Sequence, residues 1–214
     1  MDLIQDKLTI VLAGNFNPAI LTPQWVARNA LGYEGDRQFQ VEMLASVVGI
    51  GGMPRYSFDG LSYAPNFQSL TFFLAGLDEA ARQRVVHVAS TVLGTLPHTP
   101  VSGVGFNFGF FVRNPSDQLL EMLQTSLPMM EALGDEAAVV SRLWSNTVRW
   151  RESLVTVQCQ QDGGQVQIDV NIHHDVSSAE EAGRFLARQD CYQEAFAVAV
   201  DAVRRLANEQ LENV

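Results

Sequence analysis

The chain has 214 residues, 47% of them apolar and 18% charged, and a formal net charge of −10. That length buries a core without disulfide staples, and the acidic balance opposes nucleic acid and anionic membrane surfaces. The two cysteines, Cys159 and Cys191, sit in neither a CxxC nor a metal-type spacing. Met1 to Lys7 carries Asp2 and Asp6 and has no signal-peptide core, and no apolar run approaches a membrane span. With thiols of no disulfide pattern, these features point to the cytoplasm.

In chain order, Thr9 to Ala13 reads as a strand ended by Gly14-Asn15-Phe16-Asn17-Pro18, with a short helix from about Pro23. Phe39 to Val48 reads as a strand closed by Gly49, Gly51 and Gly52. Arg55 to Phe58 and Leu61 to Tyr63 flank Asp59-Gly60, a strong hairpin signal, and Gln68 to Leu74 is a further strand. Leu77 to Leu96 is helical. Ala81, Val85, Val88, Ala89, Val92, Leu93 and Leu96 form its apolar stripe, and Pro97 and Pro100 follow it.

Val104 to Val112 alternates Val104, Phe106, Phe108, Phe110 and Val112 against Gly103, Gly105, Asn107 and Gly109. This predicts a strand whose bare face is closely approached by another element. Asn114-Pro115 predicts a helix start, with Asn114 as cap and a stripe running to Leu127. Val139 to Val148 reads as a strand, and Ser153 to Gln160 and Gln165 to Ile172 as a hairpin around Asp162-Gly163-Gly164. A short helix over Ser178 to Ala187 precedes a C-terminal helix capped by Asp190.

The two halves echo one another. Residues 1–99 and 100–214 each read as a β-α-β-β-β-α unit, with Asn17-Pro18 and Asn114-Pro115 lying 97 residues apart. The same offset carries Ser69–Ala75 onto Val166–Ile172. The expected fold is α+β, mainly an antiparallel sheet covered on one face by long helices, with an internal duplication forming one compact unit. In layout it resembles the saddle of the TATA-box-binding proteins, a likeness of fold that carries no function.

Catalytic patterns are missing from the sequence. There is no GxSxG elbow, no Walker-type loop, and Lys7 is the sole lysine. His173 and His174 are neighbours on a strand and so point to opposite faces, which reads as a solvated strand end and not a metal site. Cys159 reads as a core residue. Cys191, at a helix start, would be reactive only with a basic partner. No cofactor is expected.

Arg142, Trp144, Arg149, Trp150 and Arg151 concentrate basic and aromatic side chains in an acidic chain. Such residues are enriched at protein interfaces. The expected function is a non-catalytic protein-interaction or assembly component, through a protein partner or self-association. A small-molecule-binding protein or enzyme, with a pocket between the halves, is the alternative.

Overall fold

The computed structural model describes residues 1–35, 38–44, 53–123, 138–162, 164–188, 190–208 and 211. Among them the chain is α+β, with a ten-stranded antiparallel sheet and five α-helices. The strands are β1 (Asp2–Leu3), β2 (Thr9–Gly14), β3 (Gln40–Leu44), β4 (Met53–Phe58), β5 (Leu61–Pro65), β6 (Ser69–Phe73), β7 (Val101–Val112), β8 (Ser141–Trp150), β9 (Ser153–Asp162) and β10 (Gln165–Asp175). The helices are α1 (Pro23–Ala30), α2 (Glu79–Thr95), α3 (Asp117–Leu123), α4 (Ala179–Leu186) and α5 (Cys191–Ala207). The sheet runs β3-β4-β5-β6-β2-β7-β10-β9-β8, and β1 pairs with β7 alongside β2.

β7 sits at the centre because its alternation satisfies both faces. Phe106, Phe108 and Phe110 are each no more than 1% exposed, beside Ile10 and Leu12 of β2 and Ile168 and Val170 of β10. Phe106 and Phe108 make edge-on contacts with Tyr192 of α5 at 5.7 and 5.4 Å, and Phe108 also meets Phe196 at 5.5 Å. Each such aromatic contributes roughly 1.5–3 kcal/mol by leaving water. Residues from both halves belong to one continuous apolar core.

The bare face of β7 is closely approached, as its glycines predict, by the ring of His173 and by a 3-10 turn. The His173 ring lies over Gly103, where an added Cβ would fall 2.2 Å from its Cε1. Between β1 and β2 a 3-10 turn, Gln5–Lys7, arches over β7 and carries Lys7 across Gly109. A Cβ at Gly109 would lie 2.7 Å from that of Lys7, so only glycine fits beneath the turn.

The helix starts follow their polar caps. Thr22 accepts a hydrogen bond from the Trp25 amide at 3.3 Å, and Asp78 from that of Ala81 at 2.8 Å. Ser178 Oγ accepts from the Glu181 amide at 3.1 Å. Asp190 precedes α5 but makes no side-chain cap. Asn114 is not the start of α3. The helix begins at Asp117, and Ser116 Oγ accepts from the Leu119 amide at 3.2 Å. Asn17 instead closes a turn, its side chain accepting from the Ala19 amide at 3.1 Å.

Asp59 and Gly60 have φ of 48° and 75°, the left-handed pair that a two-residue hairpin turn requires. The glycines at 49, 51 and 52 and the expected end of α3 at Leu127 lie outside the described residues.

β2 and β7 lie side by side at the middle of the sheet, each with one further antiparallel neighbour, β6 and β10. β2 pairs with β6 from Thr9↔Phe73 to Ala13↔Ser69. Adding 98 to each number gives Asn107↔Asn171 to Phe111↔Gln167, which are pairs of β7 with β10. The offset of 97 set by the Asn-Pro pairs would instead carry buried Ile10 onto Asn107, on the opposite face. An even offset keeps the pleat in phase.

Candidate functional site

β8 carries the Arg/Trp cluster, and the pleat divides it. Trp144 and Trp150 are half-buried and packed against the core, and Arg142 lies on their side of the strand. The Arg142 guanidinium donates to Gln161 Oε1 of β9 at 3.2 Å. Arg149 falls on the opposite face and is exposed. Arg151 stands in the β8–β9 turn with φ 53°, its guanidinium 4.5 Å from the Trp150 ring centre. The five residues therefore form no single patch; Trp150 and Arg151 stay together.

These two open onto a cavity of about 270 Å³ between the β8–β9 turn and helices α4 and α5. Its walls include His174, Phe185 and Arg188. His174 and Phe185 stack face to face, with centres 4.1 Å apart and planes 5° from parallel. The Arg188 guanidinium lies 5.5 Å from the Phe185 ring centre. Phe106 and Ile172 contribute apolar wall, and Glu152 and Glu194 also line the cavity. Phe185 and Arg188 were not singled out from the sequence, and His174, expected at a solvated strand end, is instead half-buried against Phe185. The signal was the parity of His173-His174, which sends His174 toward the helices while His173 stays over Gly103 and within 3.2 Å of Asp175.

Cys191 borders the same cavity. It is 7% exposed, and burial pushes its thiol up, outweighing the opposing influence of Arg188 and Arg82. Cys159 is fully buried, and desolvation pushes its thiol up to about 12. Burial likewise raises the Tyr192 hydroxyl.

The other face of the sheet carries a polar row. Asn171 Nδ2 donates to Asn107 Oδ1 at 2.7 Å, and Asn107 Nδ2 donates to Thr9 Oγ1 at 2.9 Å. These three are direct cross-strand neighbours on β10, β7 and β2. Next to them Lys7 Nζ pairs with Asp169 at 2.6 Å, and Gln167 donates to the same carboxylate at 2.8 Å. A cleft of about 350 Å³ lies over this row and includes residues of both halves, among them Lys7, Thr9, Asn107 and Asp169.

Among the described residues no three His, Cys, Asp or Glu side chains converge as metal ligands, and no helix is long and apolar enough to cross a membrane. Comparison with known protein families, curated proteins and solved structures gives no match.

Proposed function

We propose that the protein is a non-catalytic assembly component that self-associates through its outer strands. The observation that carries this is their shared character. β3 exposes Val41 and Met43 at 57% and 65%, and β8 exposes Leu143 and Val148 at 62% and 56%. Among the described residues each of these strands has one pairing neighbour, β4 and β9 respectively. An exposed apolar edge is a template for pairing with another chain.

The charges favour pairing of unlike edges. β8 carries Arg142 and Arg149 and no acid, whereas β3 carries exposed Glu42. β8 against β8 would bring together two edges that carry arginine and no acid, which disfavours that pairing. β8 of one copy against β3 of the next pairs opposite charges and leaves a free edge at each end. Such a head-to-tail contact builds open chains unless its rotation closes a ring.

The same reading takes 1–99 and 100–214 as a duplication in which, among the described residues, four strands stand between α1 and α2 and three follow α3, with helices layered on one face. The strand order outward from the central β2–β7 pair, β6-β5-β4 on one side and β10-β9-β8 on the other, and the ring contacts between β7 and α5 support it. It places the protein in the cytoplasm, in keeping with its buried thiols.

Light scattering over a concentration series tests the reading. The wild type is expected to gain mass with concentration, and Leu143→Lys with Val148→Lys to stay monomeric with an unchanged far-UV spectrum. A wild type that is monomeric throughout overturns it. Trp150 is a poorer probe, because it also packs against the core.

A further inference from the structure

The cavity beside Trp150 has a composition that the strand edges do not explain. Ion pairs engage six arginines of the described residues: Arg55, Arg82, Arg84, Arg113, Arg184 and Arg205. Arg151 and Arg188 are among the other six described arginines, and what sets these two apart is their placement. Both guanidiniums lie on aromatic rings, Trp150 and Phe185, and both border the same cavity. A guanidinium stacked on a ring is held in place by its face while its N–H fork stays free along its edge. That fork matches a carboxylate in two-point geometry.

The interior is aromatic and apolar, with Phe106, Phe185, Trp150 and Ile172 as walls. Its volume of about 270 Å³ falls just under the range of drug-sized sites, roughly 300–1,000 Å³. That suits one ring system. Glu152 and Glu194 add carboxylates to the lining, so it offers both signs of charge. A simple anion would meet repulsion from these two, and a simple cation from the arginines. A molecule with an aromatic ring, a carboxylate and an ammonium group meets complementary partners for all three.

We propose that this cleft binds a small aromatic zwitterion of the amino-acid type, its ring between Trp150 and the Phe185–His174 stack, its carboxylate on Arg151 and Arg188, and its ammonium on Glu194. The assignment does not use the exposed edge of β8, since it takes the core-facing Trp150, the β8–β9 turn, α4 and α5.

Isothermal titration of the full chain with L-phenylalanine and L-tryptophan tests it, with 3-phenylpropionate and 2-phenylethylamine as partial ligands. Saturable binding of at least one amino acid is expected, with each partial ligand at least tenfold weaker. Arg151→Gln and Arg188→Gln are each expected to weaken binding at least tenfold while the thermal midpoint stays within a few degrees. Glu194→Gln is expected to abolish the preference for phenylalanine over 3-phenylpropionate. No saturable binding at millimolar ligand overturns the proposal. So does 3-phenylpropionate binding as tightly as phenylalanine, or affinity unchanged in both arginine variants.

Discussion

The two faces of the sheet do opposite work with the same strands. On one face Ile10, Leu12, Phe106, Phe108 and Ile168 are sealed from water and pack by shape and area. On the other, Thr9, Asn107 and Asn171 hold a row of directed hydrogen bonds, with glycines letting Lys7 and His173 lie flat against the backbone. Apolar burial gives the larger energy and little direction. The polar row contributes less, about 1 kcal/mol per bond, but it fixes which strand residues stand opposite one another.

Three variants separate these contributions. Phe108→Ala removes the ring between Tyr192 and Phe196 from a site 1% exposed, and is expected to cost about 3–5 kcal/mol in urea unfolding. Asn107→Ala leaves Thr9 and Asn171 without their shared partner, and is expected to cost about 1–3 kcal/mol by the same measurement. A cost as large as that of Phe108→Ala would mean that the polar face, and not the apolar one, dominates stability.

The third and subtlest variant uses pH. Cys159 faces the apolar side between its cross-strand neighbours Trp144 and Ile168, and its thiol is raised to about 12 by burial. The unfolded thiol loses its proton near pH 8.5. Between these values the folded state holds the extra proton, so stability is full below about pH 8.5 and falls as pH rises toward about 12. Cys159→Val is expected to flatten that alkaline slope in thermal unfolding, and an unchanged slope would assign it to other groups.

Most of the elements were legible in the sequence because their signals are local. The five-residue alternation from Val104 to Val112 needs a buried strand, and Asp59-Gly60 needs a hairpin. The failures lie where two local signals compete or where a site assembles from distant parts. Asn114 and Ser116 are both good caps, and proline at 115 favours the first, yet Ser116 makes the bond. The Asn-Pro spacing of 97 joins two loops, whose lengths are free to vary, so it does not say which face a strand residue takes.

The cavity was less legible. Parity alone separates Arg149 from Arg142, Trp144 and Trp150, so the division of that cluster could be read from spacing. The meeting of Arg188 and Phe185 with Trp150 could not, since it depends on how α4 packs beside β10 and the β8–β9 turn.

The placement of β2 has a consequence for the chain as it is made. This strand leaves the ribosome before both of its ladder partners, β6 and β7, which begin at Ser69 and Val101. At roughly 5–20 residues per second, β2 waits several seconds for either one. During that interval Ile10 and Leu12, the least exposed residues of the finished strand, have nothing to lie against. The nascent chain therefore presents a short sticky segment that is sealed only once β7 has been made.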